Sequence, residues 1–212
     1  MVESYRTLRE GAEATGEFED RRSRFIAQLV HAASEKDAAA HVAAVRARHY
    51  DARHNVPAWI LADGTERASD DGEPQRTSGL PTLEVLRGAG LKDVCCVTTR
   101  YFGGTLLGPG GLVRAYTAAA QAAVAAARDA GLIVEMTSVV PIALDVTYAQ
   151  YDQVRDVVER TGGKVADTAF TDTVCLSLVY REGEEAAFLE AVRERFNAAL
   201  RPEVGPRRFA EF

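Results

Sequence analysis

Arg100-Tyr101-Phe102-Gly103-Gly104-Thr105-Leu106-Leu107-Gly108-Pro109-Gly110-Gly111-Leu112-Val113-Arg114 is the stretch on which the fold turns. It follows an apolar, β-like run from Val94 to Thr98 and leads into an alanine-rich helical segment. Five of its fifteen residues are glycine, and an arginine stands at each end. Glycine accepts positive φ and admits the close approach of another backbone or of an anion. Amides at a helix start add partial positive charge. The stretch therefore predicts a strand-to-helix junction built for tight packing, for anion contact, or for both. It is neither a P-loop nor a dinucleotide fingerprint. Gly108-Pro109-Gly110-Gly111 lacks the Lys-Ser/Thr pair that reaches phosphates and magnesium, and the G-x-G-x-x-G spacing fails.

Upstream of the junction, strand-like runs occupy roughly 5–10, 15–19 and 23–31. A helix follows over 35–49, with Ser34 as N-cap, Asp37 three residues on, and an apolar stripe of Ala38, Ala39, Val42 and Val45. Val56 to Ala62 reads as a buried strand. The segment from Asp63 to Ser78 is polar, has no apolar periodicity, and is too long for a simple turn; such loops are often functional. Leu83 to Leu86 suggest a short helix ending at Gly88–Gly90. Downstream, a helix over 111–129 turns Val113, Tyr116 and Val124 towards its buried face, and Gly131 closes it. Past Thr137-Ser138 the pattern changes to strand 139–147, helix 149–161, strands 164–171 and 173–181, helix 184–197 and strand 204–211. That order is β-α-β-β-α-β, the split βαβ or ferredoxin-like pattern. Two domains are expected, 1–137 and 138–212, in an α+β chain.

Two domains fit within 212 residues, and 47% hydrophobic with 26% charged residues is ordinary for a soluble globular protein. No apolar run approaches the roughly 20 residues of a membrane-spanning helix. The start of the chain lacks the basic-then-apolar pattern of a signal peptide. A cytoplasmic protein with no membrane partner is expected. Cys95 and Cys96 are adjacent in one strand and must face opposite sides of a sheet; Cys175 lies in another. None has ligand spacing for zinc, so all three read as small core residues in a reducing compartment. Net charge is −6, and neither 1–137 (16 Lys+Arg, 18 Asp+Glu) nor 138–212 (9 against 13) is basic. A broadly basic nucleic-acid binder is excluded, and any such role must rest on a local patch.

Three further segments carry candidate chemistry. Asp51-Ala52-Arg53-His54-Asn55 feeds polar residues into a buried strand, where His54 could act as base or ligand or merely bond backbone at a strand end. No second histidine stands at metal-pair spacing from it. Ser69-Asp70-Asp71-Gly72-Glu73-Pro74 places three carboxylates in four residues, suited either to a divalent cation or to turns and a helix start near Pro81. Arg21-Arg22-Ser23-Arg24, with Arg46, Arg48 and Arg53, could contact phosphates or form a face paired with Glu17, Glu19 and Asp20.

Ser69 to Pro74, then Thr77-Ser78-Gly79-Leu80-Pro81, then Arg100 to Gly104 and Leu107 to Tyr116, closely resemble the IMPACT/YigZ family. Ser23 to Ala27 and Asp51 to His54 add to the match, which covers nearly the whole chain. The resemblance implies an N-terminal domain of the RNase PH/GHMP-kinase-like (left-handed βαβ) superfamily and a C-terminal ferredoxin-like domain similar to the last domain of elongation factor G. It implies translation regulation, with RNA or a ribosome or translation-factor partner, and no cofactor. One departure stands at the centre of the motif: Gln75-Arg76-Thr77 replaces the family's Pro-Ala-Gly-Thr, so Arg76 could pair with a pocket carboxylate. The expected nucleic-acid or anion surface comprises Arg24, Arg53, His54, Arg100, Gly103, Gly104, Gly110, Gly111 and Arg114. A polar site is expected at Asp70, Asp71, Glu73, Arg76 and Thr77. Two other classes stay open: an enzyme acting on a phosphorylated small molecule, its carboxylates holding a cation, and a protein-interaction module. The residues point to no oligomeric state.

Overall fold

A computed structural model describes residues 4–212, which form two compact units, one Tyr5–Val134 and the other built on Glu135–Phe212. The first contains β1 (Tyr5–Leu8), β2 (Glu13–Asp20), β3 (Ser23–His31), α1 (Glu35–Arg48), β4 (His54–Ile60), β5 (Glu66–Ala68), α2 (Gly79–Ala89), β6 (Val94–Tyr101) and α3 (Gly108–Asp129). Five strands form an antiparallel sheet in the order β2-β3-β6-β4-β5. Side chains alternate across a pleated strand, so successive β6 residues enter different cores. Val94 and Cys96 join Phe25, Leu29, Val56, Leu86 and Tyr116 under α2 and α3; Cys95 and Val97 join Ala38 and Val45 under α1. Burial raises the pKa of both thiols, that of Cys96 to about 12, as expected of inert core residues.

Alanine richness in α3 has a packing cause. Ala115, Ala119, Ala120, Ala123 and Ala127 are fully buried, and a Cβ added to Gly16 of β2 would lie 2.0 Å from the Ala123 nitrogen. Helix and strand backbones meet where neither carries a side chain of any size. Ser34 caps α1 as expected, its hydroxyl accepting from the Asp37 amide at 3.2 Å.

The second unit contains β7 (Ile133–Val146) from Glu135 onward, α4 (Tyr148–Arg160), β8 (Lys164–Phe170), β9 (Val174–Arg181), α5 (Glu185–Arg195), β10 (Glu203–Val204) and β11 (Arg208–Glu211). Its antiparallel strands run β8-β9-β7, with β10 and β11 both pairing along β7. The helices cover Ile142, Leu144, Leu176, Leu178 and Tyr180 with Val154, Val157, Phe188 and Val192. The chain is a mixed α/β protein of two units. No helix among the described residues is long and apolar enough to cross a membrane.

Several boundaries differ from the sequence reading. Strand β5 lies inside the polar segment 63–78, which carried no periodic signal because a three-residue edge strand is too short to show one. Helix α2 starts at Gly79, its first turn being set by a distant carboxylate described below. Helix α3 starts at Gly108, since Pro109 in the first turn costs no intrahelical bond. Strand β7 starts at Ile133 rather than 139. Val113 points outward, and Cys175 is half-exposed on the outer face of β9. The last strand is divided because Pro206 interrupts it without a donor.

Candidate functional site

In the sheet, β6 lies between β3 and β4, so Arg100 stands opposite both Phe25 and His54. Arg100 is only 8% exposed and its partner Glu73 only 3%. Arg100 Nη1 donates to Glu73 Oε1 at 2.7 Å and Oε2 at 2.9 Å, and Tyr116 Oη donates to Oε1 at 2.8 Å. Burial, followed by the Glu73 charge and hydrogen bond, pushes the Tyr116 phenol far above its usual range, so it stays a donor. The guanidinium also lies 5.6 Å from the ring centroids of Phe25 and of Phe102. Arg100 Nε is buried with no hydrogen-bond partner among the described residues. A buried pair of this kind sets local geometry more than it adds stability.

Above this pair opens a cleft of about 730 Å³ lined by Arg53, His54, Glu73, Arg100, Phe102, Leu106 and the start of α3 at Gly108-Pro109, among others. His54 Nδ1–H donates to the Asp71 carbonyl at 2.7 Å, which leaves Nε2 as the ring's other polar atom. Arg53 is exposed and makes no ion pair among the described residues. At the rim, Tyr101 Oη donates to Asp51 Oδ1 at 3.1 Å and accepts from His49 Nδ1 at 2.9 Å. Burial and then Arg48 hold the His49 imidazole below its ordinary pKa; burial and then Asp51 raise that of Tyr101.

The segment 69–79 is folded around its own carboxylates. Asp70 accepts from the amides of Arg76 (2.7 Å), Gly79 (2.9 Å) and Ser78 (3.1 Å) and from the Ser78 hydroxyl (2.8 Å), which anchors the first turn of α2. Burial alone would raise its pKa, but these amides outweigh it and hold the carboxyl below the usual range. Asp71, at φ 46°, accepts from the Asn55 amide at 2.6 Å and from Arg46 at 2.7 Å. Thr77 donates to the Pro74 carbonyl at 2.6 Å. The three carboxylates thus serve three separate sets of partners. No group of three His, Cys, Asp or Glu among the described residues is arranged to hold a metal ion.

The structure brings Arg53, His54, Glu73 and Arg100 together and sets the other expected residues apart. Arg100 is not a free cation, because Glu73 neutralises it. Arg76 is not the partner of a pocket carboxylate; its side chain lines a different depression, between α2 and α3. Arg24 is held by Glu17 in a forked pair, and Arg114 lies largely exposed 3.7 Å from Asp20. Gly103 is demanded by packing: an added Cβ would lie 2.1 Å from the Arg22 carbonyl carbon, and its amide donates to Ser23 Oγ at 3.1 Å. Gly104 turns the chain at φ 88°, and Gly110 and Gly111 lie inside α3. None of these four glycines lines the cleft; Gly108 does. Tyr101, Phe102 and Leu106 line the cleft and lie outside the set of site residues expected from sequence. The usable signal was two large apolar residues, Phe102 and Leu106, flanking a glycine pair in a segment with no strand or helix period to bury them.

Residues 21–124 match the family model described as the Impact N-terminal domain, and residues 144–199 match one described as a domain of unknown function (DUF1949). The chain is 35% identical over 188 residues to an IMPACT family member of Haemophilus influenzae, an alignment covering 87% of this chain and 89% of that one. It is 47% identical over 102 residues to IMPACT family member YigZ of Escherichia coli, covering 46% of this chain. It is 44% identical over 118 residues to IMPACT family member YvyE of Bacillus subtilis, covering 55% of this chain. These two alignments span about half the length of those relatives, 50% and 54%. A solved structure described as a hypothetical protein shares 31% identity at a TM-score of 0.59, over 95% of this chain and 97% of that one.

Proposed function

Because the chain belongs to the IMPACT family, we propose that it is a cytoplasmic, translation-associated regulatory protein that binds RNA, free or within the translation machinery, through the cleft of its N-terminal unit. The observation that carries this reading is one depression holding a guanidinium without an acidic partner (Arg53), an imidazole (His54) and an exposed aromatic ring (Phe102). Free cations bind phosphate, and exposed rings bind bases. The strand order of the second unit supports a ferredoxin-like assignment, and the sheet of the first is consistent with an RNase PH/GHMP-kinase-like domain. An enzyme reading draws less support, since the carboxylates it would assign to a cation are engaged by backbone amides, Arg46 and Arg100.

Titration of a fluorescein-labelled RNA at 50 mM salt tests the proposal. Wild-type protein is expected to bind and Arg53→Glu to bind several-fold more weakly. Undetectable affinity of the wild type at that salt would remove RNA as the ligand. Arg100→Ala is unsuited to this test, because it strands the buried Glu73 and perturbs the fold.

A further inference from the structure

We infer that the cleft is a pocket for a single unstacked base of single-stranded RNA, with Phe102 as the stacking platform; the inference rests on the RNA-binding reading above. The balance of charge excludes a groove that tracks a phosphate backbone. Two arginines and two carboxylates line the cleft, Arg53 and Arg100 with Asp51 and Glu73; Arg100 is neutralised by Glu73, and Asp51 accepts from Tyr101, which leaves Arg53 as the lining cation that makes no ion pair among the described residues. Tracking a strand requires a row of such cations.

What the cleft exposes instead is apolar. Phe102 is 53% exposed and Leu106 80%, and Leu107, Pro109 and Leu112 continue the wall. The Arg100 guanidinium lies 5.6 Å from the ring centroid of Phe102 and 5.6 Å from that of Phe25, and Glu73, itself bonded by Tyr116, holds that cation in place. The Phe102 ring is therefore supported before any ligand arrives, which lowers the ordering cost of binding. A volume of about 730 Å³ is within the range of ligand pockets and has room for one nucleotide, whose phosphate would meet Arg53 at the rim. Bases inside a duplex present no free face, so only an unpaired nucleotide can use such a platform.

The test measures binding of a labelled ten-nucleotide RNA of mixed sequence, single-stranded and as a duplex, to wild type, Phe102→Ala and Phe102→Trp. Each protein is first checked for an unchanged thermal midpoint, which the exposure of Phe102 favours. The single strand should bind at least about tenfold more tightly than the duplex, and Phe102→Ala should lose roughly tenfold or more while Phe102→Trp retains affinity. The salt slope should be shallow, about −0.7 to −1.4, for one or two phosphate contacts. RNA that binds wild type and Phe102→Ala equally, or binds as duplex and single strand alike, overturns the base pocket and leaves RNA binding standing. Absence of any RNA affinity overturns the RNA-binding reading, and the pocket with it.

Discussion

Glu73 shows how much one buried carboxylate can determine. It holds Arg100 from β6 and Tyr116 from α3, so three separate segments meet at its two oxygens. Removing one member of such a pair leaves the other charge buried and uncompensated, which costs more than the pair itself contributes. Arg100→Ala is expected to lower unfolding stability by about 3–5 kcal/mol, read from the urea midpoint. A loss below about 1 kcal/mol would show that Glu73 reaches water in the folded protein. Tyr116→Phe, which removes one hydrogen bond and keeps the ring, should cost only about 1–2 kcal/mol. The same residues explain why Arg100, prominent in the sequence as a flanking cation, is an internal strut rather than a ligand contact.

Among the elements, α3 and the β2–β3 hairpin depend on close backbone approach. Gly16 lets β2 meet α3 at Ala123, and Gly103 lets the loop after β6 meet the hairpin turn at Arg22. That turn has two residues, Arg21 at φ 47° and Arg22 at φ 64°, the type I′ geometry usually taken by Asn-Gly. The basic run that first suggested a phosphate surface is therefore partly a turn in a conformation unfavourable for its residue type. Gly16→Ala places a methyl against helix backbone, with no flexible side chain to yield. It should cost at least about 2 kcal/mol, measured by chemical denaturation. An effect under 0.5 kcal/mol would mean that α3 can slide away from β2 freely. Gly11→Ala is the contrasting control for space, since nothing lies within 4 Å of its added Cβ, although its φ of 76° carries its own strain.

For the whole molecule, acid is the condition to which stability should respond. Asp70 is held below the ordinary carboxyl range by the amides that outweigh its burial; Arg24, Arg87 and Arg181 lower Glu17, Glu66 and Glu135 in the same direction. A depressed folded pKa contributes stability that is complete above the unfolded value and is lost as pH falls through the folded one. Thermal midpoints should thus stay level from neutral pH to about pH 5 and fall below about pH 4. Asp70→Asn should be less stable at neutral pH and show a shallower acid fall. An unchanged slope would remove Asp70 as a contributor. The exposed arginine pairs should add little, and less in salt. The β-α-β-β-α-β order and nearly every helix of this chain were legible in sequence, because apolar period, caps and glycine stops are local properties that survive in any fold agreeing with them. The family was legible for the same reason, in contiguous motifs. The site was legible only as a set of residues. Arg53, His54 and Arg100 were visible, but the pairing of Arg100 with Glu73, 27 residues away, depends on which strands adjoin and which loop crosses their ends. Sequence determined the elements and the chemical groups available. Tertiary structure alone decided which cations are neutralised, which glycines serve packing, and which aromatic ring is left facing solvent, because charge pairing and burial are properties of neighbours in space rather than in the chain.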